Sequence, residues 1–167
     1  VGGYVTLRSN VDITGTGATV RKRHGSTSYA CFAALSNGAV GYGSSVENVT
    51  VSGLRFRGTF EPGAARSLCG FALHHARNML FYDLDFTEAQ GGGHCFDLGG
   101  CDGVTIRDST FRGFMTDGAS LHSECIQVDV SAASGASVVD DPPSYDALPS
   151  INISVDSCIF APLTIGA

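Results

Sequence analysis

The 167-residue sequence is poor in charge, lysine and tryptophan, and each shortage excludes a class of protein. Charged residues make up 16% of the chain, tryptophan is absent, and Lys22 is the only lysine beside nine arginines. A formal net charge of −6 leaves no basic stripe to neutralise phosphates, so we expect no nucleic-acid partner. No apolar run approaches the roughly 18 residues of a membrane-spanning helix, so we expect no membrane span.

The sequence also lacks three signals that would classify it directly. It has neither an initiator methionine nor the basic and apolar regions of a signal peptide, so we expect a processed or excised chain. Its six cysteines include no CxxC pair, so we predict no metal site and no cofactor. Their even number permits disulfides, whereas their place in apolar patterns suits buried thiols, and both alternatives stay open.

What the sequence contains in abundance is glycine (22 residues) and apolar residues (43%). This composition favours short strands and tight turns over amphipathic helices and is sufficient for one hydrophobic core. Val5–Leu7, Val11–Ile13 and Ala18–Val20 alternate apolar and polar residues, as short strands do. Residues 21–45 are predicted to be irregular.

A nine-residue motif then repeats through the chain. Each copy runs from a turn residue through a strand and a polar corner to a phenylalanine: Asn48–Phe56, Asn78–Phe86, Gly103–Phe111 and Asn152–Phe160. The copies start 30, 25 and 49 residues apart, and periods of this size indicate a solenoid. A β-sandwich, the main rival, would not repeat one motif in phase.

An apolar–x–apolar triplet precedes the motif at Phe71–Leu73, Phe96–Leu98 and Ile126–Val128. The third triplet is separated from its motif by a segment rich in Ser, Pro and Asp, which we interpret as an inserted loop at about 131–149. With about three short strands per repeat, we predict one all-β domain over residues 1–167, a right-handed parallel β-helix. Neither end has an evident polar cap, so we expect a fragment of a longer helix, further coils or a homo-oligomer.

The stretch His122–Val130 suggests a site, because it places a polar, carboxylate-bearing face on a strand that otherwise looks buried. Stacking the triplets predicts three shared columns: Cys69, His94 and Glu124; Ala72, Asp97 and Gln127; and His74, Gly99 and Asp129. Asp97 and Asp129 then lie diagonally on neighbouring strands, with Cβ atoms roughly 7–8 Å apart. Two carboxylates at that separation suit acid–base hydrolysis of a glycosidic bond.

Each of these residues also has a structural interpretation. Asp97 and Asp129 would be solvated positions on an exterior sheet, Glu124 would point inward at a turn, and His94 and His122 would be turn or surface residues. On the functional interpretation, Asp129 and a partner carboxylate are catalytic, and the neighbouring polar residues bind the sugar.

The motifs NVTVSGLRFRG, GVTIRDSTFRG and NISVDSCIFAP resemble coils of right-handed parallel β-helix proteins of the pectin-lyase-like superfamily. ECIQVD, followed by a polar loop, YDALP and INISVDSCIF, resembles a bacterial, extracellular group that includes β-helix lacto-N-biosidases. The resemblance implies hydrolysis of glycosidic bonds by aspartates, with Asp129 at the motif aspartate and Asp146 at the aspartate before the Pro-containing turn. This chain departs from the pattern with Cys125 for Ala and Ala147-Leu148 for Gly-Thr.

The leading hypothesis is therefore a secreted or cell-surface bacterial glycoside hydrolase acting on a poly- or oligosaccharide. Asp129 is predicted to be catalytic with Asp97 or Asp146, and the predicted substrate-binding residues are Glu124, Gln127, His94, His122 and His74. The alternatives are a non-catalytic glycan-binding, adhesin or phage-fibre segment, and a polysaccharide lyase. Paired aspartates with the Gly-His-Gly context of polygalacturonases are absent, as is an evident lyase calcium cluster.

Overall fold

The computed structural model of the protein describes residues 4–21, 30–34, 41–58, 69–87, 94–113, 124–129 and 148–161. These ranges form β-strands and turns, and no helix occurs within them. Most of the predicted inserted loop lies outside the described residues, as do His122 and Asp146.

The strands follow a three-part cycle that repeats five times along the chain. Their bounds, in chain order, are β1 (Val5–Thr6), β2 (Val11–Thr14), β3 (Thr19–Arg21), β4 (Ala30–Ala34), β5 (Val46–Ser52), β6 (Arg55–Arg57), β7 (Cys69–His74), β8 (Ala76–Tyr82), β9 (Asp85–Thr87), β10 (Phe96–Gly99), β11 (Asp102–Arg107), β12 (Thr110–Arg112), β13 (Ile126–Asp129), β14 (Ile151–Asp156) and β15 (Ile159–Ala161).

Every third strand joins the same parallel sheet. Sheet A has the order β1-β4-β7-β10-β13, sheet B the order β14-β11-β8-β5-β2, and sheet C the order β15-β12-β9-β6-β3. Successive repeats thus add one strand to each of three five-stranded parallel sheets. This arrangement is consistent with the predicted parallel β-helix.

The predicted repeat register is confirmed by the strand pairing. Val49, Met79, Val104 and Ile153 pair in turn in sheet B, and Phe56, Phe86, Phe111 and Phe160 pair in turn in sheet C. Like residues stack because each strand of a parallel sheet lies about 4.8 Å from the next in the same register.

One part of the sequence analysis was wrong. Residues 21–45 were predicted to be irregular, yet Ala30–Ala34 forms β4 between β1 and β7. Alanine has a low strand propensity, so this segment gave no local signal. Tertiary stacking overrides the propensity, because the Phe32 ring stacks on Phe71 with centroids 5.3 Å apart.

The core is built from stacked phenylalanine rings in two adjoining ladders. In sheet C the rings of Phe56 and Phe86 lie 4.5 Å apart, and those of Phe86 and Phe111 lie 5.2 Å apart. Phe71 and Phe96 stack in sheet A at 5.0 Å. Each fully buried ring contributes roughly 1.5–3 kcal/mol to folding, with about 0.5–1.5 kcal/mol more for favourable ring pairs.

The turn residue of each repeat has a left-handed backbone conformation. Asn48, Asn78 and Asn152 have φ values of 57°, 53° and 55°, and the equivalent Gly103 has a φ of 71°. Asparagine and glycine tolerate this region best, which explains their place in the motif. The Asn78 amide donates to Asn48 Oδ1 at 3.2 Å, so the amides also link consecutive strands.

The outermost strands expose apolar side chains that are buried in the middle of the stack. Val5 is 54% exposed in β1, whereas Val128 is 49% and Phe160 54% exposed in the last repeat. Phe86 and Leu98, which occupy the columns of Phe160 and Val128, are fully buried. Burial therefore rises from both edges of each sheet toward its centre.

Candidate functional site

The buried ionisable residues of the described chain gather at sheet A. His74, His94 and Asp97 are 5–6% exposed, and His75, in the turn from sheet A to sheet B, is fully buried. The outer faces of sheets B and C have no comparable group among the described residues, apart from the partly exposed Asp85. Because burying ionisable groups is costly, their concentration makes this face the candidate functional site.

Two of the three predicted columns of this face are confirmed by the register. Asp97 pairs with Ala72 on one side and with Gln127 on the other, and Gly99 pairs with His74 and Asp129. The alternation puts Phe96 and Leu98 into the core and Asp97 and Gly99 on the outer face.

Asp97 and Asp129 occupy different environments. Asp97 is buried, which excludes the solvated interpretation of this residue, whereas Asp129 is exposed at the end of β13. The two lie on adjacent strands, two residues apart in register, which separates their Cα atoms by about 8 Å. Depending on the side-chain rotamers, the distance between the two carboxyl groups can be shorter or longer than this Cα separation.

The side chains of His94 and Glu124 are in contact just before β10 and β13. His94 Nδ1 lies 3.2 Å from Glu124 Oε2, and the His94 side chain is 7% exposed against 45% for Glu124. Glu124 therefore does not point inward, and His94 is not a surface residue. The buried ring of His94 thus contacts the exposed carboxylate of Glu124. Gln127, which follows three residues later, is half-buried.

A bend in sheet A explains why His94 and Glu124 point outward. The amides of both Cys95 and Phe96 donate to the carbonyl oxygen of Cys125, at 2.9 and 3.0 Å. Both Cys95 and Phe96 face the core, so two consecutive residues point inward. The preceding residue is thereby turned to the outer face, as at a β-bulge.

His74 occupies the space above Gly99. A Cβ atom added to Gly99 would lie 3.4 Å from His74 Nδ1 and 3.5 Å from Cε1. The ring thus extends from β7 across β10, toward the strand that bears Asp129. The absence of a side chain at Gly99 permits this position.

Two further residues of this region, His75 and Ser150, were not singled out from the sequence. His75 is buried with a φ of 55°, a conformation uncommon for a non-glycine residue. The Ser150 hydroxyl lies 2.8 Å from the carbonyl oxygen of Asp129 and accepts a hydrogen bond from the Cys101 amide at 3.2 Å. The adjacent histidines were a visible signal, whereas Ser150 gave none because it follows the insertion.

Cys101 is a fully buried thiol beside the site. Burial raises the pKa of Cys101 to about 12; hydrogen bonds with the backbone of Ala76 and Gly99 oppose the rise, and the charge of Asp97 adds to it. Burial likewise raises the pKa of Cys125 to about 11. The five cysteines whose side chains are described are free thiols, which favours the buried-thiol alternative for them.

Two of the predicted site residues, His122 and Asp146, lie outside the described residues. Whether Asp97 or Asp146 is the partner of Asp129 stays a prediction from the sequence. Within the described ranges, no group of three or more His, Cys, Asp or Glu residues is arranged to hold a metal ion. No described helix is long and apolar enough to cross a membrane.

Comparison with known proteins gave one structural likeness. No protein-family model and no curated protein matches the sequence. A candidate glycosyl hydrolase from Parabacteroides merdae ATCC 43184, solved by crystallography, is 13% identical to this chain, with a TM-score of 0.48. The match covers 94% of this chain and 77% of that protein.

Proposed function

We propose that the protein is a bacterial glycoside hydrolase that acts on an extracellular glycan, with its active site on the outer face of sheet A. The observation that supports this most directly is the placement of buried Asp97 diagonal to exposed Asp129. Hydrolysis of a glycosidic bond uses two carboxyl groups in unlike environments, one as acid and one as base or nucleophile.

In this proposal Asp97 protonates the leaving oxygen, and Asp129 activates water or attacks the sugar. Asp97 is buried, so a glycosidic oxygen that it contacts would be removed from bulk solvent. Asp129 is reached by water at the end of β13. A Cα separation of about 8 Å accommodates carboxyl distances for both stereochemical outcomes, about 5–5.5 Å for retention and about 6.5–9.5 Å for inversion.

The neighbouring polar groups would bind the sugar. Glu124, held by His94, and half-buried Gln127 line the same face and offer acceptors and donors for hydroxyl groups. The His74 ring, which lies over Gly99, would contact the sugar beside Asp129. Substrate hydrogen bonds from His122 and a role for Asp146 remain predictions from the sequence.

The fold supports the same proposal at a finer level. We infer that the three sheets wind as a right-handed parallel β-helix of the pectin-lyase-like kind. Right-handed connections are strongly favoured between parallel strands of one sheet, because twisted strands pack back onto the sheet only in that hand. The confirmed stacking of the four repeated motifs agrees with the motif resemblance that suggested this family.

The first prediction tests the carboxylates. Asp129→Asn and Asp97→Asn should each lower the release of reducing ends from the hydrolysed glycan about 10²–10⁴-fold, because each removes an acid–base group. A panel of host and bacterial oligosaccharides first identifies the glycan. Asp12→Asn, an exposed aspartate in β2 of sheet B, is the matched control and should retain full turnover.

Unchanged turnover in Asp129→Asn would contradict the assignment of the site. Saturable binding of a glycan with no released reducing ends would instead indicate a non-catalytic glycan-binding protein. An unsaturated product absorbing in the ultraviolet would indicate a lyase.

A further inference from the structure

Arginines dominate the outer face of sheet C. Arg21, Arg57 and Arg112 share one outward column, with Thr87 between the last two. Arg55 stands in the neighbouring column, paired with Asp85 of the next strand. The rows of this sheet are about 4.8 Å apart, so the guanidinium groups are spaced along the stack at one or two rows.

Asp85 fixes two of these arginines in place. Arg57 Nη2 donates to Asp85 Oδ2 and Arg112 Nη2 donates to Asp85 Oδ1, both at 2.8 Å. Burial would raise the pKa of Asp85, but the hydrogen bonds from Arg112 and Arg57 and their charges lower it below its ordinary value. The carboxylate is therefore ionised and shared between two cations.

On the outer face of sheet C, Arg55 is also held by a carboxylate, that of Asp83. Arg55 donates from Nη2 to Asp83 Oδ1 at 3.1 Å and from Nη1 to the Asp83 carbonyl oxygen at 2.7 Å. Pinned guanidinium groups lose less side-chain entropy when a ligand binds than flexible ones do.

Among the described residues of this face, positive charge exceeds negative charge, although the protein is acidic. The described part of the face has four guanidinium groups (Arg21, Arg55, Arg57 and Arg112) and two carboxylates (Asp83 and Asp85), whereas the whole chain has a net charge of −6. Arg112 and Arg55 are 44% and 29% exposed, so ligands can reach them. A guanidinium group has five N–H donors in a planar fork, which match carboxylate or sulfate oxygens.

We infer that the outer face of sheet C binds a glycan bearing carboxylate or sulfate groups, at a site separate from the proposed active site. A densely charged nucleic acid fits this face less well, because its phosphates repeat about every 1.7 Å of duplex and the chain as a whole is acidic. The described residues of this face include no aromatic side chain on which bases would stack. A glycan with about one anionic group per sugar is a better match, because the arginines of this face are spaced one or two strands apart.

This inference does not depend on hydrolysis at sheet A. Binding at sheet C would persist in Asp129→Asn and in a protein with no hydrolytic activity. Conversely, a hydrolase of neutral glycans would leave the proposed function intact and the sheet C inference without support. Binding and reducing-end assays therefore report on the two separately.

The test is affinity electrophoresis of the full chain in gels containing polygalacturonate, dextran sulfate or neutral dextran. Polygalacturonate and dextran sulfate distinguish carboxylate from sulfate recognition. We expect retention by at least one of them, weakening as salt is raised. The double variant Arg21→Gln/Arg112→Gln should lose about tenfold in affinity, because two exposed cation–anion contacts disappear.

A double variant on sheet B is the matched control. Arg77→Gln/Arg107→Gln removes the same charge from side chains that are 44% and 47% exposed, and it should bind as the wild type does. Thermal unfolding checks that both double variants remain folded. The single variant Arg112→Lys keeps the charge and should therefore bind the anionic glycan better than Arg112→Gln does.

Three results would overturn the inference. Retention no stronger in either anionic gel than in dextran would show that the face does not bind such glycans. Equal loss in the two double variants would show a diffuse charge effect. Tighter binding of a single-stranded thymidine oligonucleotide, lost in the sheet C variant, would assign the face to nucleic acid.

Discussion

At the level of single residues, Gly99 shapes the outer face of sheet A because it has no side chain. Gly99 stands between His74 and Asp129 in one column, and the imidazole lies over it. Glycine costs backbone entropy in a strand, so its presence is explained by the space that it leaves. The histidine ring uses that space to extend toward the next strand.

The second prediction concerns this contact. Gly99→Val should destabilise the protein by about 1–3 kcal/mol, because the added side chain overlaps the His74 ring. In a His74→Ala background the same substitution should cost less, since the ring is gone. Chemical denaturation of the four proteins of this double-mutant cycle measures the coupling. Additive effects would show that the ring does not occupy the space above Gly99.

At the scale of elements, aromatic stacking and a shared carboxylate stabilise sheet C from its two sides. Phe86 contacts Phe56 and Phe111 on the inner side. On the outer side Asp85 joins Arg57 and Arg112, which belong to the strands on either side of β9. The phenylalanine stack and the Asp85 ion pairs both connect neighbouring strands of sheet C that lie more than 20 residues apart in the sequence.

The third prediction uses the phenylalanine ladder. Phe86→Ala should lower the free energy of unfolding by about 3–5 kcal/mol, because the ring is fully buried between two others. Phe160→Ala, in the same column but 54% exposed, should cost about 1 kcal/mol or less. Urea denaturation compares the two. Equal costs would contradict the gradient of burial along the stack.

The fourth prediction is the pH dependence that Asp85 introduces. Its native pKa lies below the ordinary value of 3.8, so the stabilisation is complete above that value and is lost as the pH falls through the native pKa. At neutral pH, Asp85→Asn should cost about 1–2 kcal/mol, and the difference from the wild type should shrink below about pH 4.

Asp83→Asn is the matched control for this prediction, because Asp83 is 59% exposed and its ion-pair partner among the described residues is Arg55. It should cost well under about 1 kcal/mol at any pH. Unfolding curves at several pH values between neutrality and the acid limit test both variants. A pH-independent cost for Asp85→Asn would mean that its charge is not what matters.

At the scale of the whole molecule, charge and burial are unevenly distributed. Asp97, Glu124 and Asp129 lie on sheet A, whereas the arginine excess lies on sheet C. Burial is greatest in the central repeats and falls toward β1 and β15. This gradient of burial is expected for a solenoid, because each repeat contacts only its neighbours and the outer repeats have one neighbour.

The fifth prediction follows from that gradient. Amide hydrogens of β8 and β11, which have sheet partners on both sides, should exchange slowest, and those of β1 and β15 fastest. Hydrogen exchange followed by mass spectrometry measures this profile. Uniform protection along the described strands would indicate that the stack opens only as one cooperative unit.

The sequence by itself determined the repeat, its register and the columns of sheet A. These follow from local patterns: Asn or Gly at a left-handed turn, alternating residues along a strand, and phenylalanine at a fixed position. Because parallel strands stack in register, the motif alignment also gives the neighbours of Asp97 and Asp129. It missed β4, whose alanines form a strand only between β1 and β7.

Only the tertiary structure decided which polar residues are buried and which are paired. From the sequence, Asp97 was either a catalytic or a solvated residue, and Glu124 was either a sugar-binding or an inward-pointing turn residue. In the structure Asp97 is buried, and Glu124 Oε2 lies 3.2 Å from His94 Nδ1. The bond between Arg112 and Asp85 joins residues 27 apart. Burial and pairing depend on groups that meet across the stack, and no local pattern of residues records them.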